Sequence, residues 1–158
     1  MPTQMDLGDL IKPDAVVANL RARTKKALLA EVSQRAAECL KLSDTAIYEA
    51  LWQREMLSST GIGRGIAIPH ARIPQLTAMF GLFGRLESAI EFGAMDDKPV
   101  DLVFLLLAPE HAGADHLRAL ARVSRLMRDA PTLERLRGSK SHSAMYAVLT
   151  EPSTSNAA

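Results

Sequence analysis

The chain has 158 residues, of which 47% are hydrophobic and 23% are charged, and 19 basic side chains nearly balance 18 acidic ones. This length and apolar fraction predict one domain with a substantial core. The net charge of +1 and the aromatic fraction of 4% argue against a nucleic-acid-binding protein, which needs a positive field and aromatic platforms for base stacking.

The N-terminal end predicts no secretory signal, because residues 1–12 contain Asp6 and Asp9 and lack a long apolar core. The longest apolar runs, such as Leu102 to Ala108, are too short to span a bilayer. The single cysteine, Cys39, has no partner for an internal disulfide, as is usual in a reducing compartment. We therefore expect a cytoplasmic protein without membrane insertion.

Apolar residues at helical spacing between residues 7 and 11 predict a short helical turn that ends at Pro13. The run Ala15–Leu20 predicts a first strand. Two amphipathic helices with candidate N-cap residues come next: Thr24 to about Leu40, and Ser43 toward Arg54 and Glu55.

A glycine-rich stretch follows the second helix, from Ser58 to Arg72, with the sequence SSTGIGRGIAIPHAR. Glycine lets a backbone approach a ligand closely. Ile66–Ile68 predicts a brief buried strand that Pro69 ends, so that His70 lies at a strand end beside free amides. Such amides bind anions. The spacing is neither that of a Rossmann fingerprint nor that of a P-loop. A lone histidine after a strand is more often a surface or half-buried polar residue without a functional role.

The second half of the chain begins with a predicted strand from Thr77 to Leu86 and a turn-rich segment over residues 92–99. Val100–Ala108 is nearly continuous in apolar residues, which is typical of a strand covered by helices on both faces. The loop Pro109–Ala114 follows this strand, and loops at strand ends of an α/β sheet favour ligand binding.

Asp115 is a candidate N-cap for a helix that runs from His116 to about Met127. The helix dipole disfavours a charged ring in the first turn, so we expect His116 to be neutral. Four arginines form a basic stripe on this helix, either a solvated face or a docking surface: Arg118, Arg122, Arg125 and Arg128.

Two shorter helices complete the predicted elements, from Pro131 to Leu136 and from Ser141 to Leu149. A polar, disordered tail is expected over residues 153–158. We expect one α/β domain over residues 1–158, with an ordered core over about residues 7–150. Its strands are predicted near four residues: Val16, Ile66, Met79 and Val100.

The stretch RE…STGIGxGIAIPH, which runs from Arg54 to His70, closely resembles the phosphohistidine signature of bacterial sugar phosphotransferase-system IIA domains of the fructose/mannitol class. A second segment, from Asp101 through Pro109 to His116 and Leu120, matches that family as well. The resemblance covers about residues 7–150 and is greatest to free-standing nitrogen-regulatory IIA proteins. It implies a mixed central sheet with helices on both faces.

The resemblance also implies roles for individual residues. His70 would accept a phosphoryl group, expected on the tele nitrogen, from a small histidine phosphocarrier protein. His116 would hydrogen-bond near that group without being phosphorylated, and Thr60 and Arg54 match positions near the phosphohistidine. On chemical grounds, backbone amides of a phosphoryl-binding loop would stabilise the transferring oxygens: Gly61, Ile62, Gly63, Arg64 and Gly65.

No metal or other cofactor is expected, because donor and acceptor are both histidines. The phosphorylation state of this carrier, which uses phosphotransferase chemistry, would control its binding to partner proteins, as a monomer or a weak dimer. The main alternative is a transport component that relays phosphate to a permease IIB domain. A zinc site built from His70, His111 and His116 is a further alternative, as is a purely structural or nucleic-acid-binding domain. His111 and His142 otherwise read as surface residues.

Overall fold

The computed structural model describes residues 7–151, so the tail predicted over residues 153–158 lies outside the described residues. The elements of the described chain are, in order, β1 (Ile11–Leu20), α1 (Lys25–Leu40), α2 (Asp44–Leu57), β2 (Gly61–Gly63), β3 (Ile66–Ala67), β4 (His70–Ile73), β5 (Phe80–Ile90), β6 (Val100–Pro109), α3 (Ala114–Leu126), α4 (Ala130–Gly138) and α5 (His142–Thr150).

The six strands form one mixed sheet in the order β1-β5-β6-β3-β2, with β4 pairing to β6 beyond β3. β6 is parallel to β3 and β4 and antiparallel to β5, and β1 is parallel to β5. All residues of β6 from Leu102 to Pro109 are buried, so both faces of the sheet are covered there. The predicted α/β fold with a mixed sheet is therefore confirmed, as is the strand predicted at Val100.

Local capping chemistry explains where several helices begin. The Thr24 and Ser43 hydroxyls accept hydrogen bonds from the amides of Ala27 and Ala46 at 3.1 and 3.2 Å, as predicted for the N-caps of α1 and α2. The predicted cap of α3 is wrong, because Gly113 is the N-cap and makes no side-chain capping bond. Asp115 lies inside the first turn, where its carboxylate instead pairs with Arg118.

The N-terminal prediction needs one correction. The turn exists, because the amides of Leu10 and Ile11 both donate to the Leu7 carbonyl, but Pro13 does not end it. Pro13 lies within β1, which begins at Ile11. Among the described residues β1 pairs only with β5, and its register with β5 shifts between Ile11 and Val16. A proline fits such an edge strand because its missing amide leaves no partner unpaired.

The glycine-rich stretch is a β-hairpin, not a loop. β2 and β3 pair antiparallel, and the turn residues Arg64 and Gly65 both have positive φ, of 61° and 83°. Two consecutive residues with positive φ are what a two-residue turn of type I′ requires. The strand predicted to begin at Thr77 instead begins at Phe80 and continues to Ile90.

Pro69 was expected to end the strand, but the sheet continues beyond it. His70 begins β4, which pairs with the same neighbour, β6, as β3 does. The Leu106 amide donates to the Pro69 carbonyl at 3.0 Å, so the proline still accepts a ladder bond although it cannot donate one. Within the described residues, no helix is both long and apolar enough to cross a bilayer.

Candidate functional site

His70 is the first residue of β4 and is half-buried opposite Leu106. Its Nδ1 lies 2.8 Å from the Ile68 carbonyl oxygen. A carbonyl only accepts, so Nδ1 carries the proton and Nε2 keeps a lone pair. Burial lowers the pKa of the ring; the Arg54 cation also lowers it, against the raising effects of the Ile68 hydrogen bond and Glu55. The ring is therefore neutral at neutral pH, with Nε2 available as a nucleophile.

His116 lies in the first turn of α3 and is 8% exposed. Its ring centroid is 5.8 Å from that of His70, with the planes at 69°. Burial lowers its pKa first, and His70 and Arg72 lower it further. The direction agrees with the neutral ring predicted for His116, and its causes are burial, His70 and Arg72. The structure thus brings the two predicted histidines together.

A cleft of about 600 Å³ contains both rings and is formed by α2, β4 and α3. Arg54 and Arg72 line it, so two guanidinium groups accompany the two neutral imidazoles. Leu57 and Leu117 also line the cleft and are 81% and 66% exposed. The cleft therefore combines a nucleophile, cationic hydrogen-bond donors suited to an anion and an exposed apolar rim.

Arg54 lines the cleft with its Nη1 donating to the Ser58 carbonyl at 2.9 Å. Thr60 is buried and is absent from the cleft lining. Its hydroxyl and amide donate to the two carboxylate oxygens of Glu55 at 2.6 and 2.9 Å, and Lys25 donates to the same carboxylate at 2.9 Å. Thr60 and Glu55 thus join the end of α2 to the start of β2 and hold the segment that leads to His70.

The hairpin predicted as a phosphoryl-binding loop, Gly61–Gly65, does not line this cleft. Its tip lies beside the start of β6, where the Gly65 carbonyl accepts the amides of Asp101 and Leu102. His70 pairs with Leu106, which is four residues beyond Leu102 in β6. At the rise per residue of a strand these two positions are about 13 Å apart. The Arg64 amide is occupied by Asp96 at 3.0 Å. The tip of this hairpin thus lies away from His70, and the role of Gly61–Gly65 in binding a phosphoryl group stays a prediction.

Arg72 is the cleft residue that sequence reasoning missed. In β4 the side chains of Ala71 and Ile73 are buried, whereas His70 and Arg72 lie on the other face. Arg72 Nε donates to His116 Nδ1 at 3.3 Å. The alternation in the sequence HARI was the available signal, but it is informative only once residues 70–73 are known to form a strand.

The zinc alternative gains no support from the described residues. Among residues 7–151, no three histidine, cysteine, aspartate or glutamate side chains are grouped so as to hold a metal ion. His111 is exposed and lines a different cleft, with Asp9, Arg118 and Arg122. His142 is exposed at the start of α5, as predicted for a surface residue.

Residues 9–151 match the protein family described as phosphoenolpyruvate-dependent sugar phosphotransferase system, EIIA 2. The chain is 49% identical over 148 residues to a nitrogen regulatory protein of Bradyrhizobium diazoefficiens, covering 94% of this chain and 97% of that one. The crystal structure of nitrogen regulatory protein IIA-Ntr from Neisseria meningitidis superposes with a TM-score of 0.85 at 34% identity, covering 90% of this chain and 98% of that one.

The chain also resembles a relative that is named for a sugar. It is 33% identical to the fructose-specific EIIA component of Haloferax volcanii, over 94% of this chain and 92% of that one.

Proposed function

The chain belongs to the EIIA 2 family of the phosphoenolpyruvate-dependent sugar phosphotransferase system and resembles its nitrogen regulatory members, and from that premise we propose that it is a phosphoryl-accepting regulatory protein phosphorylated on His70. The observation that carries this proposal is the Ile68 carbonyl on His70 Nδ1, which leaves Nε2 with its lone pair in a cleft next to His116. We place the reaction in the cytoplasm.

The transfer begins with a phosphohistidine on a small histidine phosphocarrier protein. The Nε2 lone pair of His70 forms a bond to phosphorus while the P–N bond of the donor breaks and the donor imidazole leaves with the electron pair. The proton on Nδ1 stays on the Ile68 hydrogen bond, which stabilises the positive charge that develops on the ring. The product carries phosphorus on Nε2, the tele nitrogen.

Positioning and charge stabilisation supply most of the catalysis in phosphoryl transfer. Arg54 brings a permanent cation to the cleft, and the buried His116 brings a neutral ring whose Nε2–H has no hydrogen-bond partner among the described residues. These groups stabilise the negative oxygens of the transferring group. No step in this mechanism requires a metal ion or a cofactor.

The regulatory output follows from the change of charge at an exposed cleft. A phosphoryl group places about two negative charges beside the apolar rim of Leu57 and Leu117. A partner that docks on this rim in one state meets a different potential in the other, so the phosphorylation state controls which proteins bind.

The experiment that tests the proposal is incubation with a phosphorylated carrier protein, followed by mass spectrometry that locates the acid-labile phosphate. We expect one phosphate on His70, no label on His70→Ala, and slow but measurable labelling of His116→Ala. Full labelling of the His70→Ala protein would refute the assignment.

Relay to a permease IIB domain is the alternative that the fructose-specific relative favours. Reconstitution with a carrier protein and a permease tests it, because relay predicts phosphorylated sugar that depends on this chain. For the regulatory protein we expect no sugar phosphate, and a pull-down whose captured proteins differ between the two phosphorylation states.

A further inference from the structure

We infer that Arg72 is a positioning residue that fixes the tautomer of His116, so that Nε2 of that ring carries the proton. This inference rests on the proposed role of His70. β4 places His70 and Arg72 on one face of the strand, and from there Arg72 Nε reaches His116 Nδ1 at 3.3 Å. Arg72 thus links the strand that holds the nucleophile to the helix that holds the second histidine.

The direction of this hydrogen bond determines the tautomer. A guanidinium group has only donors and stays protonated in proteins, so His116 Nδ1 must be the acceptor. A neutral imidazole that accepts at Nδ1 carries its proton on Nε2. Protonation of His116 at Nδ1 would bring its N–H into repulsive contact with the Nε–H of Arg72. This agrees with the pKa of His116, which burial, His70 and Arg72 lower.

The Nε2–H of His116 has no hydrogen-bond acceptor in the described part of the unphosphorylated protein. The atom is buried and finds no hydrogen-bond partner among the described residues, an arrangement that costs free energy. A phosphoryl oxygen on His70, whose ring centroid is 5.8 Å away, supplies the acceptor that is missing. In the opposite tautomer a lone pair would occupy this position and repel the phosphoryl oxygens. Arg72 therefore prepares His116 to donate.

The tautomer is measured directly by NMR of the ring nitrogens of ¹⁵N-labelled protein, without any phosphoryl donor. We expect one tautomer in the wild type, with His116 Nδ1 unprotonated, and a mixture in Arg72→Met. Arg72→Gln keeps an N–H donor without the charge, so it should largely retain the single tautomer. Arg35→Met, which removes an exposed arginine of α1, is the control and should leave the ring signals unchanged.

Phosphoryl transfer supplies the second measurement. We expect Arg72→Met to slow labelling of His70 about tenfold, less than the ~100-fold loss typical when a donor to the reacting oxygens is itself removed. In the His116→Ala background the same substitution should cost nothing further, because Arg72 acts through that ring. A further tenfold loss there, or a single unchanged tautomer in Arg72→Met, would overturn the inference. A wild type that takes no label would refute the proposed function and leave the NMR result standing.

Discussion

At the scale of single residues, His70 and His116 are defined by what their ring nitrogens contact. The Ile68 carbonyl occupies Nδ1 of His70 and Arg72 occupies Nδ1 of His116, so the two Nε2 atoms differ in kind. The first carries a lone pair and the second carries an N–H, as the proposed nucleophile and the proposed donor require. Thr60 belongs to the same motif but lies away from the cleft. Its hydroxyl donates a hydrogen bond to the Glu55 carboxylate and so supports the backbone.

The lowered pKa of His70 predicts how labelling depends on pH. Burial keeps the folded ring neutral at pH values where an ordinary histidine begins to protonate, near 6.5. We therefore expect the rate of labelling to be constant above pH 6.5 and to fall only as the pH drops through the lowered pKa of His70. An NMR titration of the ring, with the chain unfolded in urea as the control, should give a lower midpoint for the folded protein.

The lowered pKa values of His70 and His116 also make the free energy of unfolding depend on pH. In the unfolded chain His70 and His116 bind a proton near pH 6.5, whereas in the folded protein their lowered pKa values mean that they bind it only at lower pH. Their contribution to the free energy of unfolding is present above pH 6.5 and is lost as the pH falls through the lowered values. A midpoint for folded His70 at or above that of the urea-unfolded chain would contradict both expectations.

At the scale of elements, the β2–β3 hairpin and β4 divide a single sequence motif between two tasks. The hairpin turn packs against the first residues of β6 through Asp101, while β4 presents His70 opposite Leu106. Arg137 fixes the turn, because its guanidinium binds the Asp101 carboxylate and the Arg64 carbonyl. The glycines therefore serve the hairpin and its packing.

Gly65→Ala separates these two tasks. At Gly65 a Cβ would lie 2.5 Å from Arg137 Nη2 and 2.7 Å from Asp101 Oδ1, on a backbone with φ of +83°. We expect a loss of about 1–3 kcal/mol in the free energy of unfolding, measured by chemical denaturation. Because the hairpin lies away from the cleft, labelling of His70 per folded molecule should be unchanged.

Gly138→Ala is the matched control. A Cβ at Gly138, in the last turn of α4, meets nothing within 4 Å. Its free energy of unfolding should stay within about 1 kcal/mol of the wild type. If Gly65→Ala remained folded yet lost most of its labelling, the hairpin would have to take part in phosphoryl binding after all.

At the scale of the whole molecule, the cleft is the place where α2, β4 and α3 meet at one side of a sheet whose central strand, β6, is buried from Leu102 to Pro109. Its rim carries two of the large exposed apolar side chains of the described chain, Leu57 and Leu117. Exposed apolar residues grouped around a reactive histidine suit a surface that is covered by another protein during transfer.

Leu117→Gln tests this surface. Burying a leucine in an interface contributes about 1.5–3 kcal/mol, so we expect the KM for the phosphorylated carrier protein to rise about tenfold or more. Labelling by phosphoramidate, a small donor that needs no docking surface, should be unchanged. Met95→Gln is the control, because Met95 is 81% exposed but does not line the cleft. An equal loss with both donors would place Leu117 in the chemistry and contradict a docking role.

The sequence by itself determined the family, the mixed α/β fold, the buried strand at Val100 and the pairing of His70 with His116. The α/β class and the buried strand follow from N-caps and apolar runs, which act over short distances along the chain. The family, the mixed sheet and the pairing of the two histidines follow from the resemblance that the long motif carries. Only the tertiary structure decided that Pro69 lies between two strands that pair with β6, that the tip of the glycine hairpin lies away from His70, and that Arg72 contacts His116. Those outcomes depend on which strand pairs with which in register, and register is set by contacts between residues far apart in the chain.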